Sequence, residues 1–341
     1  MFDLMLLIVA FCGGVFGAAI GILPSFICVG LVGLPGIAAG IAGSTFNWHG
    51  LLTFGPFFGP QISFVAAVAA ASYARKKGYL GSGKDAVVCL MGLNKPDVLL
   101  VGGIFGALGY IVHSGICVVA GQGQTDTVAL TVVILGLVAK VVFGKHGLRE
   151  IFGVLSDEAK ARGRFKLGGS NVWLPFQSTM GQKVAIALGV GGLSAYVTQV
   201  MLAGDAAIAS QAIFVGFCIS AASLIFLQVG QGIPITHHLT ITAAYAVAAS
   251  GNIFWGIAMA IIASQLADIG SRLFLIHGDT HVDPPACAIC SGAFLVYLLN
   301  VGGIFKVGGN FLPLLIIAVF VVWGVFDFKQ EKLQQGVGVQ G

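Results

Sequence analysis

Long apolar segments, separated by short polar or Gly/Pro-rich ones, make up most of the chain. About 20 apolar residues are needed to span the hydrocarbon core of a bilayer, so this pattern is typical of transmembrane helices. It predicts five spans in the first half of the chain and six in the second. They lie at 4–22, 25–44, 61–75, 98–120, 127–143, 183–203, 206–229, 236–250, 253–270, 286–304 and 309–327.

Two of these apolar stretches are interrupted by Gly and Pro at corresponding places in the two halves. The interruptions are Gly55–Pro60 and Gln231–Pro234. Lipid cannot form hydrogen bonds with the N–H and C=O groups of unwound backbone. Such backbone must therefore be buried in protein or line a wet cavity. Matched interruptions in two halves indicate a transporter's binding site. Helix N-termini with free N–H groups suit an anion, and the expected solute ligands are Gln61, Ser63, His237, His238 and Thr240.

The basic residues predict the orientation of the chain. Arg75, Lys76 and Lys77 follow the third span, and further Lys and Arg fill 145–166. The positive-inside rule places both clusters in the cytoplasm and the N-terminus outside. Segment 86–93 is too short to cross and is expected to dip in from the cytoplasmic side and return. The segment 253–270 gives eleven crossings if it spans and ten if it is a hairpin, and the basic C-terminal end favours eleven.

The predicted fold class is all-α: a polytopic integral membrane protein with 10–11 transmembrane helices in two inverted repeats and with broken or re-entrant segments. Five spans in the first half make an equivalent second unit inverted. The expected organisation is a repeat at 1–143, a cytoplasmic linker at 144–182, a repeat at 183–328 and a disordered tail at 329–341. Apolar residues at helical spacing make 147–162 either a surface helix or a plain linker, and the linker is preferred.

The composition excludes a soluble protein. The chain is 57% hydrophobic and 9% charged, whereas soluble domains carry about 25% charged residues. The net charge of +4 reflects topology signals, so no nucleic-acid partner is expected. No catalytic motif occurs, and the three Glu residues lie outside the predicted spans, so the chain is not expected to be an enzyme. The predicted location is the plasma (inner) membrane of a prokaryote, as a homo-oligomer.

Other polar clusters offer sites for ions. Asn94 and Asp97 have the hard oxygen ligands that a small cation such as Na⁺ prefers, and they are the first choice for a coupling ion. Asp268 shares a helix face with Arg272 at i,i+4 spacing, which fits either a structural ion pair or a proton-coupling carboxylate.

A fourth cluster alternates ligand-type side chains along the sequence, so an extended segment would point them all one way. His and Asp together can hold a transition metal. A hydrogen-bonded loop is the preferred interpretation of this cluster. Its members are His277, Asp279, His281 and Asp283.

Two stretches resemble the large membrane subunit of tripartite tricarboxylate transporters. They are Gly17–Pro24, a Gly-rich segment ending in Leu-Pro, and the first interruption with the Ala-rich span ending in Ala74-Arg75-Lys76-Lys77-Gly78. Ser25 replaces the family's Gly after Leu-Pro, and Gly59-Pro60-Gln61 stands where that family has Thr-Pro-Gly. The segment 59–110 also resembles an uncharacterised group of prokaryotic membrane proteins. The transporter resemblance implies carboxylate uptake and an extracytoplasmic binding-protein partner.

These patterns predict a secondary active transporter that moves a small polar or anionic solute, such as a carboxylate, and couples this movement to Na⁺ or H⁺. The solute would lie between the two broken helices near the membrane midplane. One alternative is a transition-metal transporter that uses the His/Asp cluster at 277–283. A second alternative is a passive channel or an oligomeric membrane scaffold.

Overall fold

The computed structural model describes residues 3–120, 123–166 and 168–337, with the side chains of Ser170 and 331–337 excepted. Most of these residues are helical, and none of them forms a strand. Among them, six helices are long and apolar enough to cross a membrane. The α-helices are α1 Leu4–Ile20, α2 Ile22–Ile41, α3 Ser63–Lys76, α4 Pro96–Ala120, α5 Thr127–Phe143, α6 Asp157–Arg162, α7 Met180–Leu202, α8 Ala206–Gln211, α9 Phe214–Ser223, α10 Ile225–Gln228, α11 His237–Ser250, α12 Ile253–Gly270, α13 Pro284–Val301 and α14 Phe311–Val337.

Every predicted span corresponds to helix in the structure, with ends that agree within a few residues except at α14. The span predicted at 206–229 consists of three consecutive short helices, α8 to α10. The segment predicted at 253–270 is one continuous helix that extends through a π-helical turn to Leu275. It is therefore long enough to cross and is not a hairpin.

Two short helices follow the Gly/Pro interruptions and lie in the interior of the bundle. The chain turns without α-helix at 54–62 and again at 229–236. The helices that follow, α3 and α11, have 14 residues each, or about 21 Å at 1.5 Å per residue. That is shorter than the hydrocarbon core of about 30 Å. Most of their side chains are buried.

The two halves of the chain pack their helices in the same pattern. In the first half, α1, α3 and α4 contact one another, and α3 and α4 also contact α5. In the second half, α7, α11 and α12 contact one another, and α11 and α12 also contact α13. The halves meet where α2 contacts α9 and where α5 contacts α13.

Basic residues gather at one end of the bundle, which we call the basic end: the segments 75–95, 140–183 and 268–279 with the end of α14. These segments are joined there by Arg75–Asp279 at 2.7 Å and by Lys76 Nζ, which donates to the Val142 carbonyl. Among the described Lys and Arg side chains, only Lys306 lies at the opposite end. The two clusters used to predict orientation therefore share one side.

The structure adds detail to three of the predicted segments. The 147–162 stretch, for which a plain linker is the preferred prediction, is not one surface helix: Gly153, at φ +69°, lies against the His277 carbonyl and separates the 3₁₀ turn Gly147–Glu150 from α6. Segment 86–93 contains one 3₁₀ turn, Leu90–Leu93, and its Ala86 carbonyl accepts from the Leu23 amide; its re-entry into the membrane stays a prediction. The tail predicted as disordered from 329 continues α14 to Val337, in sequence rich in good helix formers, and 338–341 lie outside the described residues.

Replacing Gly106 with Leu should destabilise the protein. A Cβ at Gly106 would lie 2.5 Å from the Ala10 carbonyl oxygen and 2.7 Å from the Gly14 Cα, so α1 and α4 would be forced apart. Overpacking of this kind costs about 1–3 kcal/mol or more. The midpoint of thermal unfolding in detergent should fall. Gly115→Leu is the control, because a Cβ at Gly115 on the same helix has nothing within 4 Å; equal midpoints for both variants would contradict the packing.

Candidate functional site

A central cavity of about 1010 Å³ lies between the two halves. Its wall includes side chains from α2, α5, α9, α11 and α13. Pro60 of the unwound segment 54–62 and Ile235 of the unwound segment 229–236 both line it. The two unwound segments therefore reach the same cavity, although they are far apart in sequence.

Aromatic rings form much of the cavity wall. Phe26 is at their centre, with its ring centroid 5.9 Å from that of Phe64 and 5.8 Å from that of Phe217. Phe54 and Phe214 continue the same surface, with ring centroids 5.4 Å apart. A cavity lined in this way suits a ligand with an apolar body.

Two aspartates provide the carboxylates of the cavity, and each caps a helix. Asp126 Oδ1 accepts from the Ala129 amide of α5 at 2.8 Å, and Asp283 Oδ2 accepts from the Ala286 amide of α13 at 2.8 Å. Tyr245 Oη donates to the other oxygen of Asp126 at 2.7 Å. Both aspartates line the cavity.

Asp126 was missed by sequence reasoning. The signal that could have found it is local: an Asp stands three residues before an Ala at the start of an apolar segment, in both halves. This is the N-cap pattern. An N-cap at the end of a span, however, does not by itself reveal that the span begins inside the protein.

Of the five expected solute ligands, only His237 lines the cavity. Ser63 Oγ donates to the Gly59 carbonyl and Thr240 Oγ1 to the His237 carbonyl, so both hydroxyls are used within their own turns. Gln61 Nε2 donates to the Phe54 carbonyl at 2.6 Å. His238 is buried away from the cavity wall.

The expected coupling-ion residues lie outside the cavity. Asn94 is exposed at the basic end, with φ 53°. Asp97 accepts a hydrogen bond from Tyr73 Oη at 3.0 Å. Asp268 forms ion pairs of 2.5 Å with both Lys183 and Arg272, and all three side chains are largely buried. This geometry corresponds to the structural ion pair with Arg272 considered for Asp268, and Lys183 is a third member.

The expected metal ligands do not converge. Asp279 pairs with Arg75 and accepts from Ser82 Oγ at the basic end. Burial, and then the positive charges of Arg164, Lys140 and Lys84, lower the pKa of His277. His281 Nε2 lies 3.5 Å from Asp283 Oδ1, and both line the cavity. Among the residues described, no group of three or more His, Cys, Asp or Glu side chains could hold a metal ion.

The central segment fixes the second interruption. Gln177 Nε2 donates to the Ile235 carbonyl at 3.1 Å, and Gln177 Oε1 accepts from the Ile235 amide at 2.9 Å. Trp173 and Leu174 from the same segment line the cavity. The segment expected to be a simple linker therefore supplies both a backbone partner and part of the cavity wall.

The sequence matches the model of a family of unknown function (DUF7973) over residues 1–153 and 153–314. The chain belongs to this family. No curated protein and no solved structure matches it. The resemblance to tricarboxylate transporters therefore stays a prediction.

Asp268→Asn should destabilise the fold strongly. It would leave Lys183 and Arg272 buried without a counter-charge, and breaking a buried pair costs about 3–5 kcal/mol. The thermal midpoint in detergent should drop well below that of Asp157→Asn, the control, because Asp157 pairs with Lys160 while its side chain is 99% exposed. A coupling role for Asp268 would instead appear as altered ion dependence at normal stability.

Gln177→Leu should also destabilise the protein, by about 1–3 kcal/mol for each backbone group of Ile235 left unpaired. Leu preserves the approximate shape of Gln177 while removing both hydrogen bonds. Thermal unfolding is the measurement, and Gln182→Leu is the control because Gln182 is exposed. Midpoints that match for the two variants would show that the contact with Ile235 contributes nothing.

Proposed function

We propose that this chain is a secondary active transporter that holds a small solute in the central cavity and couples its movement to Na⁺ or H⁺. Two related units of opposite orientation would alternate access by rocking against each other. The single observation that carries the proposal is that the unwound segments 54–62 and 229–236 both contribute residues, Phe54 with Pro60 and Ile235, to one cavity between the halves.

The packing pattern supports two related units. The set α1, α3, α4 and α5 has the same mutual contacts as the set α7, α11, α12 and α13. The contacts of α2 with α9 and of α5 with α13 are then contacts between counterparts, as expected at a pseudo-two-fold axis. The family model also matches two consecutive segments, which meet at residue 153 in the central segment.

Opposite orientation follows from the number of segments in the first unit. Five membrane segments per unit, with α8 to α10 counted as one, place the start of the second unit on the other side. The chain then enters the first interruption from one side of the membrane and the second interruption from the other side. In this correspondence α12 is the counterpart of α4, and α13 is the counterpart of α5.

The residues of the cavity wall limit which solute and which coupling ion fit the site. Asp126 and Asp283 are the acidic side chains of the cavity wall, and they replace Asn94, Asp97 and Asp268 as first choice for the coupling ion. No Lys or Arg among the described residues lines the cavity, so an anionic solute has no cationic side chain as partner. The metal alternative is not favoured, because the His/Asp cluster of 277–283 does not converge.

Transport should be measured with purified protein in proteoliposomes under an imposed Na⁺ or H⁺ gradient. Carboxylates, amino acids, organic cations and Mn²⁺ form the test panel. We expect saturable, gradient-driven uptake of one class. Non-saturable flux that ignores the gradient would indicate a channel, and no flux of any class would favour the scaffold.

Val132→Trp should abolish that uptake, because Val132 is buried in the cavity wall and an indole there would fill solute space. The variant should remain folded, which thermal unfolding checks. Val119→Trp is the control, since Val119 on α4 is 87% exposed and outside the cavity. Full uptake by a folded Val132→Trp protein would place the transport path elsewhere.

A further inference from the structure

We propose that the solute of the central cavity is a lipophilic organic cation, held by the carboxylates of Asp126 and Asp283 and by the aromatic wall. This inference rests on the proposed function for the transport step alone. Binding itself can be measured without transport, so the two fail separately.

The first argument is the charge of the groups that face the cavity. The titratable side chains in its wall are Asp126, Asp283, the tyrosines Tyr245 and Tyr297, and the histidines His113, His237 and His281. Within the described chain, no Lys or Arg joins them. An anion in this cavity would lie close to two carboxylates at low dielectric, where repulsion is strong.

The partners of these carboxylates leave their negative charge available. Among the described residues, Asp126 accepts from two uncharged donors, the Ala129 amide and Tyr245 Oη. Asp283 accepts from the Ala286 amide, and His281 Nε2 lies 3.5 Å from its Oδ1. These contacts orient the carboxylates toward the cavity.

The second argument is the size and surface of the cavity. Its volume of about 1010 Å³ is at the upper end of drug-sized sites, about 300–1,000 Å³, and is far larger than a metal ion needs. Phe26, Phe54, Phe64 and Phe217 present ring faces and edges to it. A cation over an aromatic face is attracted by the ring quadrupole, and an apolar body is removed from water.

An unpartnered polar group in the wall points independently to a ligand. His237 is only 4% exposed and lines the cavity, with its ring centroid 4.5 Å from that of Phe26. Its Nδ1 has no hydrogen-bond partner in the described part of the chain. Buried polar atoms in folded proteins are nearly always paired, so a bound molecule or water is expected beside this imidazole.

Tetraphenylphosphonium and tetraphenylborate test the proposal, because the two ions have the same shape and opposite charge. Equilibrium dialysis against the detergent-purified full chain measures both affinities. The pH should be 8, above the ordinary pKa of imidazole near 6.5, so that exposed histidines are neutral. We expect the cation to bind at least about tenfold more tightly than the anion, which is about 1.4 kcal/mol in binding free energy.

The double variant Asp126→Asn plus Asp283→Asn should remove this preference. Asn is also a good N-cap, so α5 and α13 should keep their capped ends. Binding of tetraphenylphosphonium should weaken by about tenfold or more. Asp205→Asn is the matched control, because Asp205 caps α8 at an exposed position outside the cavity and should leave both affinities unchanged.

Two results would overturn the proposal: equal or tighter binding of tetraphenylborate by the unmodified protein, or unchanged cation binding by a folded double variant. If the double variant does not fold, each single variant and the comparison of the two ions decide. Selective cation binding without uptake in proteoliposomes would sink only the transport function. Gradient-driven uptake of another solute, without charge-selective binding, would sink only this inference.

Discussion

Every unwound backbone group in the bundle needs a hydrogen-bond partner within the protein, because hydrocarbon offers none. The segments 54–62 and 229–236 meet this requirement differently. In the first, Gln61 caps the Phe54 carbonyl, and the Gly59 carbonyl accepts from the chain that follows. In the second, Gln177 reaches in from the central segment to pair both backbone groups of Ile235. The continuous buried parts of these segments are 59–62 and 235–236, immediately before α3 and α11 begin.

Glycines make room for the first unwound segment. A Cβ at Gly13 would lie 1.9 Å from the Pro56 carbonyl oxygen, and one at Gly109 would lie 1.9 Å from that of Gln61. A Cβ at Gly17 would come within 2.4 Å of the Ser63 carbonyl oxygen. The high glycine content therefore serves close approach of backbones at these positions, which composition alone did not distinguish from helix mobility.

Charge is separated along the bundle in a way that fits the proposed role. Cations collect at the basic end, where Lys84 and Arg164 donate to the carbonyls of Ile276 and Arg272 near the C-terminus of α12. Cations are favoured at helix C-termini. The cavity instead contains Asp126 and Asp283, each held by a helix N-terminus. Lys and Arg side chains thus stabilise the fold at the basic end, whereas the carboxylates of Asp126 and Asp283 lie in the cavity proposed to bind the ligand.

The sequence alone determined the helices, the two interruptions and the side shared by the basic clusters, because hydrophobic pattern, Gly/Pro and charge act over short stretches of chain. It did not determine which polar groups face the cavity. The hydroxyls of Ser63 and Thr240 donate to carbonyls within their own turns. Asn94 lies exposed at the basic end, and Asp126 accepts a hydrogen bond from Tyr245 of the other half. Which side chains face the cavity depends on how helices that are distant in sequence pack together, so only the tertiary structure decided it.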